Sequence, residues 1–122
     1  MAGETATMKR AIRRVAGIVR KYAAAQGWQS GDFQIYIRAN EDWGQIYIIL
    51  VARAFPGKDY YDQWESVMQF LEKELKDDRP LRQALHLVLR TFDQVAEGGI
   101  YSIPESYEEV EEFLPGRPEA GA

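Results

Sequence analysis

The sequence predicts a small α+β domain, in which a three-stranded mixed sheet carries its helices on one face. Residues 32–39 alternate apolar and polar side chains, residues 46–52 are apolar on both faces, and helical stripes lie before and after this pair. The resulting order is helix, strand, strand, helix, strand, short helix, helix. We expect the first two strands to form a hairpin, and the helical crossover allows the third strand to pair in parallel.

The first helix is predicted at residues 7–26. Apolar residues recur there every three or four positions from Ile12 to Tyr22, which gives the helix one face that can be buried. Gly27 ends the helix, because glycine readily adopts the backbone conformation that follows a helix terminus.

The two strands that follow differ in how much of them should be buried. In residues 32–39 the apolar side chains fall on one face, which is typical of a half-buried strand. The polar residues 40–44 form the hairpin loop. Residues 46–52 contain only apolar side chains and one tyrosine, so this strand should lie centrally and be covered on both faces, or nearly so.

The second helix should begin at Asp59, whose carboxylate suits the N-cap position. It should end around residues 76–78, because the residue before Pro80 avoids the helical conformation. We expect its apolar stripe to pack against the second strand near Ile48 and Leu50. The stripe contains Tyr60, Trp64, Val67, Leu71 and Leu75.

The last third of the chain contains one more strand and two more helices. The third strand is predicted at residues 84–91. Thr91 and Gln94 then have the spacing of a capping box, which opens a short helix that the glycine pair at 98–99 stops. A final helix is predicted at residues 104–114, where apolar residues again recur at helical spacing.

Composition places the chain among single globular domains. Its 122 residues, 46% hydrophobic and 28% charged, can close one core but hardly two, so we expect one domain over residues 1–122 with flexible ends at about 1–6 and 117–122. The longest apolar run is far shorter than the roughly 20 residues of a membrane-spanning helix, and no secretory leader is recognisable. We therefore expect a cytoplasmic protein without membrane contact. Since the chain has no cysteine, it cannot by itself form a disulfide or a cysteine-ligated metal centre.

Charge is distributed unevenly along the chain. The first 28 residues hold six basic residues and one acid, whereas the last 30 hold eight acids and one base. A basic helix can bind nucleic acid, and Arg10, Arg13, Arg14 and Lys21 are the candidate residues for that role. The alternative is an ordinary solvated helix face. The net charge of −4 favours this alternative, because it weakens attraction to phosphate.

One segment resembles a known family. Residues 48–71, followed by residues 83–85, are similar to the BolA pattern of an apolar strand, Phe-x-Gly-Lys, four residues, Arg-His-Arg, an apolar helix and a later His-Ala-Leu. The resemblance covers roughly a third of the chain and implies a BolA-like fold, akin to one type of KH domain. The matching residues are Phe55, Gly57, Lys58, Ala84 and Leu85.

The residues that carry chemistry in that family differ here. BolA proteins share an iron–sulfur cluster with a glutaredoxin through a histidine ligand, but Trp64 and Gln83 stand at the two histidine positions. Neither residue is a ligand for iron, so no cofactor and no metal is predicted. KH domains clamp nucleic acid with a Gly-x-x-Gly loop, which this sequence lacks.

His86 is the single histidine, and it lies in the predicted third strand with its side chain opposite to the flanking leucines. It has no nucleophile and no metal ligand at motif spacing. We therefore predict no catalytic residue and a protein that is not an enzyme.

Four aromatic residues near the hairpin are the candidate partner-binding site: Trp28, Tyr36, Trp43 and Tyr47. Exposed Trp and Tyr residues are common anchors of protein interfaces, and the first strand should be an edge strand. The alternative is a cross-strand pair of Tyr36 and Tyr47, covered by Trp43, that only stabilises the hairpin. We expect an adaptor that binds a protein partner or a second copy of itself, with nucleic-acid binding through the basic first helix as the alternative.

Overall fold

A computed structural model describes residues 6–42 and 44–109 of the chain, which form four helices and a four-stranded mixed sheet. The helices are α1 (Ala6–Ala25), α2 (Tyr60–Glu74), α3 (Arg79–Ala84) and α4 (Phe92–Glu97), and a 3-10 turn spans Gly99–Tyr101. The strands are β1 (Phe33–Asn40), β2 (Gln45–Ala52), β3 (Leu85–Thr91) and β4 (Glu108–Glu109). The α+β class is confirmed.

The sheet has the order β3-β2-β1-β4. Strands β1 and β2 form the predicted antiparallel hairpin, and β3 pairs with β2 in parallel, as the crossover through α2 predicts. Strand β4, of which the structure describes Glu108 and Glu109, pairs antiparallel with β1. None of the helices in the described part of the chain is long and apolar enough to cross a membrane.

One face of the sheet packs against α1 and α2, and we call it the core face. Ile37, Ile48 and Leu87 lie side by side across three strands on this face and are almost fully buried. Val67 and Leu71 of α2 belong to the same buried cluster as Ile48 of β2, but the elements that α2 mainly contacts are α1 and β3, whereas the sequence predicts β2. The alternation of apolar residues along each strand is what gathers them on one face.

The other face, which we call the second face, is only partly covered. Ile49 and Val51 of β2 alternate with core residues, yet they are 6% and 0% exposed. Helix α4 begins directly after β3 and contacts both β2 and β3 on this side, so the prediction that all helices lie on one face of the sheet is wrong. Strand β2 is therefore buried on both faces, as its apolar sequence predicts.

Two predicted helix starts are confirmed by their capping hydrogen bonds. At α2, the Asp59 carboxylate accepts a hydrogen bond of 2.9 Å from the Asp62 N–H. At α4, the Thr91 hydroxyl accepts from the Gln94 N–H at 3.1 Å, and the Gln94 side chain accepts in return from the Thr91 N–H at 2.9 Å. These bonds satisfy N–H groups that have no partner within the helix.

The final helix predicted at residues 104–114 is wrong over its described part. Residues 104–107 form a turn, in which the Tyr107 N–H donates to the Pro104 carbonyl at 3.0 Å, and the following two residues form β4. Residues 110–114 lie outside the described residues. The sheet therefore has four strands and not three. Glutamate is a good helix former, but pairing with the edge of β1 outweighs that modest preference.

A short helix that the sequence did not predict precedes β3. Pro80 lies in the first turn of α3, where the missing N–H of proline does no harm, and Asp78 caps the helix by accepting from the Leu81 N–H at 3.2 Å. Helix α2 thus ends at Glu74, well before Pro80, and the proline lies in the first turn of the next helix. Ala84 closes α3, so β3 begins one residue later than predicted.

Candidate functional site

Three side chains form a row across the second face of the sheet. Arg38 of β1 lies opposite Tyr47 of β2, which in turn lies beside His86 of β3. The Arg38 Cζ is 4.3 Å from the centre of the Tyr47 ring, and the His86 ring stacks on Tyr47 with 4.7 Å between ring centres and 19° between planes. We call these three residues the sheet-face row.

The contacts within the row hold its side chains in place. A guanidinium over an aromatic face contributes about 0.5–1 kcal/mol at an exposed site, and the Tyr47 hydroxyl also donates to the Gln45 side-chain carbonyl. His86 is exposed, whereas Arg38 and Tyr47 are half-buried. The row therefore presents a pre-ordered polar and aromatic surface to solvent.

The second face is locally basic although the protein is acidic. Strands β1, β2 and β3 contain no Asp or Glu, in a chain with 19 such residues. Arg90 adds a second guanidinium on this face, where its Cζ lies 5.3 Å from the centre of the Tyr101 ring. Strand β4 brings acid close, because Glu109 lies opposite Tyr36.

The edge of the sheet at β3 is closed by side chains. The Trp64 indole N–H donates to the Leu87 carbonyl at 2.9 Å, and the Leu89 N–H donates to the Tyr60 hydroxyl at 3.1 Å. The Arg90 guanidinium donates to the Leu89 carbonyl at 2.9 Å. These backbone groups belong to the outer side of β3, so they are not free to pair with another strand. Tyr60 is 49% exposed and serves this edge, which corrects its predicted place in the core stripe.

The opposite edge, at β1, is mostly unpaired in the part of the chain that the structure describes. Strand β4 pairs only with Tyr36 and Ile37, and the rest of β1 has no strand on this side among residues 6–42 and 44–109. The Tyr36 hydroxyl donates to the Gln34 side-chain carbonyl at 2.9 Å. Partial burial raises the pKa of Tyr36, and the charge of Glu109 raises it further, so this ring is neutral at physiological pH.

The four aromatic residues of the predicted partner site do not form one cluster. Trp28 lies on the core face, with its ring 5.8 Å from Tyr22 and 5.6 Å from Phe55, measured between centres. Tyr36 and Tyr47 project from the second face. The sheet therefore separates Trp28 from these two tyrosines.

The hairpin register also decides which aromatic residues are paired. Tyr36 lies opposite Ile49, and Tyr47 lies opposite Arg38, so the two tyrosines are not the direct cross-strand pair considered from the sequence. Trp43 lies outside the described residues. Arg38 and His86 complete the surface around Tyr47. Strict alternation along β1 and β3 places them on this face, but only the register shows that they meet.

Two of the four predicted nucleic-acid-binding residues form ion pairs within the domain. Arg14 donates to Asp77 and Asp78, with distances of 3.1 and 3.0 Å, and Lys21 lies 3.0 Å from a carboxylate oxygen of Glu74. These contacts join α1 to the end of α2. Arg10 and Arg13 are exposed on the same helix. Half of the basic set is thus neutralised within the domain.

A cavity of about 550 Å³ opens between the start of α1, the hairpin loop and α3. Its floor is apolar, with Ala11, Ile46 and Leu81, and Arg10 and Asp78 lie among its charged lining residues. The described residues contain no group of three or more His, Asp or Glu side chains arranged to hold a metal ion.

Comparison of the chain with protein-family models, with curated proteins and with solved structures finds no significant match.

Proposed function

We propose that this chain is a non-enzymatic protein-interaction domain, which binds an extended segment of another protein along the edge of β1. The observation that supports this is the difference between the two edges of the sheet. Side chains of α2 occupy backbone groups at the β3 edge, while β4 pairs with two residues of β1 within residues 6–42 and 44–109. A partner strand therefore has one edge to which it can add.

Strand addition at this edge would use both backbone and side chains. Main-chain hydrogen bonds supply affinity in this mode of recognition, and the side chains that alternate along the bound segment supply specificity. Those that point to the second face would meet Tyr36 and Arg38, which belong to the residue types enriched at binding hot spots. The sheet-face row continues this surface across the sheet.

Charge indicates the kind of segment that fits. Arg38 and Arg90 lie on a face to which the three long strands contribute no carboxylate. A bound segment with Asp or Glu on that side would form charge-assisted contacts with Arg38. A basic segment would gain nothing from this face.

Selection of peptides from a phage-displayed library tests the proposal. We expect the selected peptides to protect the backbone amides of β1 from hydrogen exchange, and Arg38→Ala to weaken their binding about tenfold, or about 1.4 kcal/mol. Arg13→Ala is the matched control, because Arg13 is exposed but lies on α1. Protection of α1 or α2 in place of β1 would contradict the proposal.

A second copy of the chain is another occupant that this experiment distinguishes. Multi-angle light scattering of the purified protein over a range of concentrations reports its mass. A dimer that Arg38→Ala disrupts would make the partner a copy of the chain itself. A monomer that still binds the selected peptides leaves the proposal as stated.

Nucleic-acid binding through α1 is the alternative. Titration with a fluorescent single-stranded RNA at two salt concentrations decides it, because contacts to phosphate weaken steeply as salt rises. Salt-sensitive binding that Arg10→Ala and Arg13→Ala abolish would replace the proposed function. Arg14 and Lys21 are already paired with carboxylates, which reduces what the helix offers to phosphate.

The BolA-like resemblance stays a proposal about the fold. The matching Phe55, Gly57 and Lys58 lie in the connection between β2 and α2. Trp64 donates its indole N–H to a backbone carbonyl, and Gln83 is exposed on α3. We expect no cluster absorbance in the visible range when the protein is co-expressed with a monothiol glutaredoxin. A brown complex that requires this chain would contradict that expectation.

A further inference from the structure

The edge to which the proposed function assigns the partner already holds a short strand of the same chain. Glu108 and Glu109 of β4 lie opposite Ile37 and Tyr36 of β1 in antiparallel register. Tyr107, one residue earlier, lies with its ring centre 5.7 Å from the Arg38 Cζ. The chain thus places an aromatic residue and two carboxylates where a bound segment would lie.

This contact is small and peripheral. In the described part of the chain it comprises two paired residues and one ring, and none of these belongs to the hydrophobic core. The stretch that leads to it is largely exposed, with Pro104, Glu105 and Ser106 all open to solvent. As far as the described residues extend, release of β4 would therefore expose the β1 edge and Arg38 without opening the core.

We propose that β4, together with Tyr107, is a built-in competitor for the β1 edge, and that the natural partner segment carries the same chemistry. That segment runs antiparallel to β1, places an aromatic side chain over Arg38 and carries Asp or Glu beside it. This inference rests on the proposed function. It adds the sequence character of the partner and an autoinhibitory contact that the partner must displace.

Docking of β4 on β1 lowers the apparent affinity of this edge for a partner by a measurable factor. If β4 is docked about 90% of the time, the β1 edge is free in about a tenth of the molecules, and apparent affinity is about tenfold weaker than intrinsic affinity. A tethered segment acts at an effective concentration in the millimolar range. At that occupancy, a free peptide of the same sequence would bind the unoccupied β1 edge with a dissociation constant below about 1 mM.

The test uses the full chain labelled with ¹⁵N and a blocked synthetic peptide with the sequence of residues 103–109, Ile-Pro-Glu-Ser-Tyr-Glu-Glu. Titration followed by NMR gives both the affinity and the location of binding. We expect shifts along β1, and about two- to fourfold tighter binding to Tyr107→Ala than to the wild type, because the loss of a contact of about 0.5–1 kcal/mol lowers the docked fraction from about 90% to about 60–80%. Tyr107→Phe is the matched control, because it keeps the ring over Arg38, and it should bind as the wild type does.

Two further measurements keep the test decisive. The variant Glu109→Pro disrupts the pairing of β4 by another route, and it should also bind the peptide more tightly. A peptide in which alanine replaces the tyrosine should bind more weakly to every variant. Equal affinity of wild type, Tyr107→Ala and Glu109→Pro would overturn the inference.

The same variants separate this inference from the proposed function. Peptides selected from the library should gain affinity for Tyr107→Ala as well. If they bind β1 with equal affinity in wild type and Tyr107→Ala, the edge is the binding site but β4 does not compete for it. If the selected peptides bind a surface other than β1, the proposed function itself is wrong.

Discussion

Removing the hydrogen-bonding groups of Tyr60 and Trp64 at the β3 edge should lower the free energy of unfolding. Tyr60→Phe deletes the hydroxyl that accepts from the Leu89 N–H, and Trp64→Phe deletes the indole N–H that donates to the Leu87 carbonyl. A hydrogen bond contributes about 0.5–1.5 kcal/mol net. The Tyr60 ring is 49% exposed and stays in place, so we expect a loss of about 1 kcal/mol for Tyr60→Phe.

Trp64→Phe should cost more, because the smaller ring also gives up part of its contact with the core. We expect a loss of about 1.5–2.5 kcal/mol, which adds this contact to the lost hydrogen bond. Truncation to Trp64→Ala should cost about 2–4 kcal/mol. That is less than for a fully buried tryptophan, since the ring is only partly buried.

Denaturant and thermal unfolding followed by circular dichroism measure these losses. In a domain of this size, 1 kcal/mol lowers the thermal midpoint by about 4 °C. Tyr61→Phe is the matched control, because Tyr61 is 65% exposed and bonds no β3 backbone group. Wild-type midpoints for both Tyr60→Phe and Trp64→Phe would refute the reasoning that these bonds hold the edge closed.

Three further predictions concern stability. Burial raises the pKa of Tyr22 above its ordinary value of about 10, so the contribution of Tyr22 to the free energy of unfolding should be constant below about pH 10 and be lost above it. Tyr22→Phe should therefore make the alkaline fall in stability shallower in alkaline denaturation curves. Gly57 has φ +130°, and a Cβ there would lie 2.8 Å from the backbone nitrogen of Gln63. Gly57→Ala should therefore lower the free energy of unfolding by about 1–3 kcal/mol. The control Gly31→Ala should lower it by less than about 0.5 kcal/mol, because a Cβ at Gly31 meets no atom within 4 Å. A hydrogen bond from Arg14 lowers the pKa of Asp77, so this pair stabilises the fold above about pH 4 and is lost on acidification. Asp77→Asn should therefore flatten the acid limb of the curve of unfolding free energy against pH.

Local patterns predicted most of the elements, because each rests on interactions between near neighbours. Period-two alternation locates β1, and the carboxylate and hydroxyl caps locate the starts of α2 and α4. The exceptions depend on contacts far along the chain. Residues 108–109 have the composition of a helix, and pairing with β1 makes them a strand. Pro80 predicts a helix break, whereas the structure places it in the first turn of α3, which Asp78 caps.

The candidate surface could be predicted only in part. Alternation assigns Tyr36, Arg38 and Tyr47 to one face of the hairpin, so the residues of the second face can be predicted from the sequence. The neighbour of Tyr47 depends on the register between strands, which loop length and packing decide together. Tyr60 fits a helical apolar stripe by spacing, and its role at the β3 edge depends on how α2 lies across the sheet.

The closed edge at β3 also limits how large an assembly of this chain can grow through its sheet. A sheet that can pair at both of its edges can assemble into an open-ended fibre. Among the described residues, β1 is the one edge open to addition, so two copies joined along β1 would direct their closed β3 edges outward and stop. Polymerisation through the sheet would first require the loss of Trp64 or Tyr60 from the β3 edge.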